Sequence, residues 1–284
     1  MYFPKYWTKA VVKGPDGKGV TTEVAAWGWS DTSVEDARQK AMARAQGLLS
    51  RLPITGARRA AYYDNRPFQE PILQDLTRGN VQAVVTRNSL GCEVLNTEGL
   101  GFADIDYVPV RRPFFASFFD LGGKKAAKEK EGWETQTLET LRQWQQANRA
   151  WTFRVYRTAG GLRLLATSKL LKAESAESKS WLQAVGADPL YQSLCSNQKS
   201  FRARLTPKPW RCGLRKPPMR SPWDSPSQEP AMQKWLEKYQ GECARHAVCE
   251  FVETMGTAPA IPESQALVAE HDARTSVGSG LPLA

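Results

Sequence analysis

The chain has 284 residues, 41% of them hydrophobic and 24% charged, which excludes a disordered polyelectrolyte and suffices for one large core or two smaller ones. No apolar run approaches a membrane span, and the start MYFPKYWTKA lacks the apolar core of a signal peptide, so a cytoplasmic protein with no membrane partner is expected. Five scattered cysteines without a CxxC pair argue against a disulfide framework or zinc cage, and the net charge of +10 points to phosphate-bearing partners.

Residues 1–80 read as a hairpin and two helices packed on the rest. An aromatic strand near Phe3 to Val12, the turn GPDGKG and a second strand, TTEVAAWGWS, come first. Ala25, Trp27 and Trp29 share one face of that strand, read as the buried one: a packed aromatic core rather than a base-stacking platform. Ser33, followed three residues later by Asp36, has the form of a capping box opening a helix to about Ser50. Its stripe of Val34, Ala37, Ala41, Ala45 and Leu48 suits close approach to a sheet. The segment YYDNRPFQEPILQDLTRG then predicts a second helix, capped by Asp64 or Asn65, with Pro67 in its first turn and Gly79 past its end.

Residues 81–210 read as the core. The runs VQAVVTRN, CEVLNT and LGFADIDY predict an antiparallel meander, and an insertion at 108–133 follows. There Phe114, Phe115, Phe118 and Phe119 suit a lid, and KKAAKEKE reads as solvated and mobile. A helix from Thr135 to Ala150 leads to the pair WTFRVYRT and LRLLATSKL around an AGG turn. Helices near Ala176 to Val185 and Asp188 to Ser196 precede the strand SFRARLTP, on which Arg202 and Arg204 share a face. Residues 211–230 read as a proline-rich basic linker. Residues 231–284 read as a helix with the stripe Met232, Trp235, Leu236 and Tyr239, a strand AVCEFVET, a helix around Ser264 to Asp272 and a loosely held tail. The fold class expected is α+β, mainly antiparallel sheets flanked by helices.

Two features carry chemistry. Asp104 and Asp106 in LGFADIDY fall on one face of a strand, about 6.6 Å apart along the chain. Their repulsion needs relief from protonation, a guanidinium or a divalent cation. Arg157, Arg163, Arg202 and Arg204 are the obvious basic suppliers, and pairing with them in a structural ion network is one outcome. Secondly, between Pro189 and Trp223 there is no Asp or Glu, while Lys199, Arg202, Arg204, Lys208, Arg211, Arg215, Lys216 and Arg220 are basic. That is the footprint of a phosphate-bearing partner.

A strand ending in a DxD, a helix, a small-residue β-turn-β and a later basic strand resemble the catalytic core of archaeo-eukaryotic primases and primase-polymerases over about Val81 to Pro209. GFADID matches the family's first motif, TAGGLR stands where its sxH motif would be, and Arg163 occupies the histidine position. The third carboxylate is open between Asp188, Glu250, Glu253 and Asp272. The segments WGWSDTS, TRNSLG, YRTAGGLRLL, DPLYQSLC and FRARLTPKPWRCG are also similar to a family of bacterial proteins without an assigned activity, over nearly the full length.

The primase resemblance implies Mg²⁺ or Mn²⁺ on Asp104 and Asp106, nucleotide phosphates facing Arg157, Arg163, Arg202, Arg204 and Lys208, and a DNA or RNA backbone along Arg211, Arg215 and Lys216. Metal-dependent nucleotidyl transfer would follow, with Asp104 and Asp106 as catalytic groups. A non-catalytic basic nucleic-acid-binding module and a metal-dependent nuclease or phosphoesterase fit the same residues. His271 beside Asp272 reads as a capping or surface-packing residue. Oligomeric state is not legible.

Overall fold

The computed structural model describes residues 1–16, 19–55, 67–109, 124–219 and 229–284. It is an α+β protein of two compact units, Met1–Glu70 and Pro71–Ala284. The boundary expected at residue 80 lies ten residues earlier. The expected caps Asp64 and Asn65 and the phenylalanines at 114, 115, 118 and 119 lie outside the described residues.

In the first unit β1 (Tyr6–Pro15) and β2 (Thr21–Ser30) form an antiparallel hairpin, in register from Tyr6 opposite Ser30 to Pro15 opposite Thr21. Helix α1 (Val34–Thr55) starts where the Ser33 hydroxyl accepts the Asp36 N–H at 3.1 Å. Its alanine stripe, Ala37, Ala41 and Ala45, is fully buried. The sheet face under the helix is that of Ala26, Gly28 and Ser30, not that of Trp27 and Trp29. The reason is steric: a side chain at Gly28 would overlap the backbone at Ala37 and Ala41, so small residues on both elements set the approach. The tryptophan face expected to be buried is therefore the opposite one.

The second unit holds two four-stranded antiparallel sheets. One has β3 (Ile72–Asp75), β4 (Ala83–Arg87), β5 (Glu93–Thr97) and β9 (Phe201–Arg204) in the order β3-β4-β5-β9. The other has β6 (Phe102–Asp106), β7 (Phe153–Thr158), β8 (Gly161–Ala166) and β10 (Cys249–Met255) in the order β10-β7-β8-β6. Helices α2 (Lys124–Ala147), α3 (Ala176–Ala184), α4 (Pro189–Gln198), α5 (Glu229–Cys243) and α6 (Pro262–Arg274) complete it. A core of Trp151, Phe153, Leu164, Trp181 and Phe201 lies among them, with Trp151 stacked on Trp181 at 5.3 Å.

Four expectations change here. The segment expected to be a second helix carries strand β3: Pro71 disfavours helical backbone at Glu70, and β4 offers a ladder. The meander breaks after β5, because Thr97 Oγ1 accepts the N–H groups of Gly99 (3.1 Å) and Leu100 (2.8 Å) and turns β6 into the other sheet. Helix α2 begins eleven residues before Thr135, since the Lys, Ala and Glu of KKAAKEKE are strong helix formers. The proline-rich start and the tail are docked: Cys212 and Leu214 are buried beside Cys92 and Tyr239, and Ala284 N–H donates to Ala247 C=O at 2.9 Å.

From β6 to β9 the order is strand, helix, two strands, two helices, strand. The Tyr191 hydroxyl of α4 joins the ends of that unit, lying 3.0 Å from the Phe102 carbonyl on β6 and 3.1 Å from the Arg202 carbonyl on β9. This brings the aspartate strand and the basic strand together.

Candidate acidic and basic site

Register decides the fate of the two aspartates. Asp104 lies opposite Arg163 on β8, and Asp106 opposite Gly161. Arg163 Nε donates to Asp104 Oδ1 at 2.8 Å and its Nη2 to Oδ2 at 3.3 Å, so both carboxylate oxygens face the guanidinium. The arginine side chain is 2% exposed and the aspartate 26%. Burial opposes ionisation of both, yet their mutual attraction outweighs it: Asp104 is held below the usual carboxylate range and Arg163 above the usual arginine range.

Arg163 also ties other elements together. Its Nη1 donates to the Arg204 carbonyl at 2.9 Å and lies 3.5 Å from His271 Nε2 and 3.6 Å from Cys249 Sγ. His271 Nδ1 is 3.0 Å from Asp272, whose other oxygen accepts from Arg154 at 2.8 Å. Cys249, His271 and Asp272 have the order of a nucleophilic triad, but Cys249 and His271 are 0% exposed and burial pushes the thiol up to about 11. This is packing, and His271 is interior rather than at the surface.

Asp106 is exposed and has no guanidinium opposite it. Partial desolvation by the groups around its carboxylate, and then the charges of Asp104 and Asp188, raise its pKa. Of the four candidates for a third carboxylate, Asp188 is thus the one beside the pair. Its N–H donates to the Asp104 carbonyl at 2.9 Å while its carboxylate caps α4 on the Tyr191 N–H. Glu250 is paired with Arg157, Glu253 with Arg142 and Asp272 with Arg154.

The basic residues sort into two sets. Arg157 is held between Glu134 and Glu250, each at 2.6 Å, and Arg163 by Asp104, so both guanidiniums already face carboxylates. Arg202 donates to Gln198 at 2.8 Å. Arg204, Lys208 and Arg211 gather near Asp106, with no ion pair among the described residues. Burial and then mutual repulsion lower the pKa of Lys208 and Arg211, with Arg204 the leading neighbour in both cases. A side chain at Gly160 would start 2.9 Å from an Arg211 Nη and 3.7 Å from an Asp106 Oδ, so both groups lie against the AGG turn, which has no side chain there to keep them off. Arg215 and Lys216 are exposed on the chain that follows.

No family model, curated protein or solved structure matches the chain.

One contributor escaped the sequence reading. Trp210, in a 3₁₀ turn (Pro209–Arg211), is 48% exposed, with Lys208 Nζ 5.6 Å and Lys216 Nζ 5.9 Å from its ring. The signal was present as an aromatic inside the acid-free segment. Among the described residues, no three His, Cys, Asp or Glu side chains are grouped to hold a metal ion. Asp104 is taken by Arg163, and one Asp188 oxygen by the Tyr191 N–H.

Proposed function

We propose that the chain binds nucleic acid or a nucleotide on the surface where Arg204, Lys208 and Arg211 gather beside Asp106 and Asp188, with Trp210, Arg215 and Lys216 extending it. The observation that carries this reading is the gathering of three cations without an ion pair among the described residues, next to a flat exposed indole. Like charges so placed are unfavourable without an anion, and phosphate oxygens supply one. Asp104 and Arg163 hold the strand and the Arg204 backbone beneath this surface rather than meeting the ligand.

Nucleotidyl transfer is the narrower form of the proposal. It would use Asp106 and Asp188 with Mg²⁺ or Mn²⁺ on the incoming phosphates. Without turnover, the same surface is a basic binding module whose aspartates set position and charge.

Fluorescence anisotropy with a labelled oligothymidylate, titrated across salt with Mg²⁺ or EDTA, tests binding. Replacing Arg204, Lys208 and Arg211 together by Ala should make log K against log salt shallower by about 2, at about 0.7 per lost single-strand contact. An unchanged slope and affinity would remove the proposal. Binding that survives EDTA supports the module form; binding that needs Mg²⁺ and is lost in Asp106→Asn supports the metal-assisted form.

A further inference from the structure

The tryptophan face of the first unit is turned away from α1. On β1 it carries Trp7, Lys9, Val11 and Lys13, and on β2 Glu23, Ala25, Trp27 and Trp29. Its middle is open: Val11 is 55% exposed, and Lys9 and Ala25 are exposed. Trp7 packs on Trp29 at 5.2 Å and meets Trp27 edge-on at 6.5 Å, and Lys9 lies directly opposite Trp27. At its Trp29 end Arg44 of α1 reaches over the ring, while Lys9, Val11 and Ala25 stay exposed.

Between Trp29 and α1, at the edge of this face, lies a cavity of about 370 Å³ lined by Tyr2, Gly28, Trp29, Lys40, Ala43 and Arg44. That is within the volume range of small-ligand pockets. The Arg44 guanidinium lies 3.9 Å over the Trp29 ring. Lys9, Lys13, Lys40 and Arg44 thus border one aromatic strip. Carboxylates beside it include Glu23, opposite Lys13, Asp36, on Lys40 at 2.6 Å, and Asp31, which accepts from the Tyr2 hydroxyl at 2.7 Å.

We propose that this strip is a second binding surface, for single-stranded nucleic acid, with unpaired bases on Trp27 and Trp7 and the backbone along Lys9 and Lys13. Flat indoles alternating with amines on an open sheet face fit bases with phosphates between them. An apolar partner protein would leave the lysines unmatched, and a duplex would hide the base faces from the rings. The surface belongs to the first unit alone and does not depend on the basic surface of the second.

The test is the same labelled oligothymidylate on the full chain. Trp27→Ala should weaken binding about tenfold, and Lys9→Glu should make the salt slope shallower by about 0.7. Both effects should persist when Arg204, Lys208 and Arg211 are already Ala, which separates this site from the other. If Trp27→Ala disturbs the hairpin by circular dichroism, Lys9→Glu carries the test, since that side chain is exposed. Unchanged affinity and slope in a folded Lys9→Glu chain would overturn the proposal. So would loss of self-association with oligonucleotide binding intact, which would assign the face to a second copy of the chain.

Discussion

The DxD pair was legible as two carboxylates on one strand face, but alternation carries no cross-strand register. Register gives Asp104 an arginine and Asp106 a glycine, and so separates a buried ion pair from an exposed, repelled carboxylate. His271 shows the same limit, because its burial comes from Phe102, Tyr156 and Cys249, residues distant in sequence. Burial first, and then Arg163 against the opposing pull of Asp272, depresses its pKa; Asp104 and Tyr156 are the other groups facing it. A depressed folded pKa means that the unfolded chain takes the proton first. Stability from a neutral His271 is therefore present above about pH 6.5 and falls as pH drops below it. Urea unfolding from pH 7 to 5 should show declining stability in the natural chain and a flatter profile in His271→Gln. Equal slopes would place the titration elsewhere.

At the scale of elements, local signals worked where one period dominated. The Met232, Leu236 and Tyr239 stripe is the buried side of α5, and the β7-β8 turn falls at Ala159 and Gly160 as its small residues suggested. They failed where a partner chose between two options. The short segment of β3 follows β4, KKAAKEKE follows its helix propensity, and the hairpin buries Gly28 instead of Trp27 because alanines in α1 come that close. Gly28→Val forces a side chain into the α1 backbone and should cost about 3 kcal/mol or more in stability of the first unit. Chemical unfolding followed by tryptophan fluorescence measures this. A wild-type midpoint would show that α1 packs elsewhere.

For the whole molecule, the acid-free segment was legible as a concentration of positive charge, but which of its cations and of the other arginines are paired came only from the tertiary structure. Arg157 and Arg163 are paired with carboxylates, while Arg204, Lys208 and Arg211 have no ion pair among the described residues, a difference that residue type and spacing do not show. No helix among the described residues is long and apolar enough to cross a membrane. The central claim is that the two aspartates have different jobs. The direct measurement compares Asp104→Asn with Asp106→Asn by urea unfolding and by oligothymidylate anisotropy on the same preparations. Asp104→Asn should lose about 3 kcal/mol of stability, because a buried guanidinium is left without its carboxylate. Asp106→Asn should keep the natural stability or gain slightly, since its folded pKa is raised, and should change ligand affinity instead. The reverse pattern, a stable Asp104→Asn that loses Mg²⁺-dependent binding beside an unfolded Asp106→Asn, would contradict the assignment.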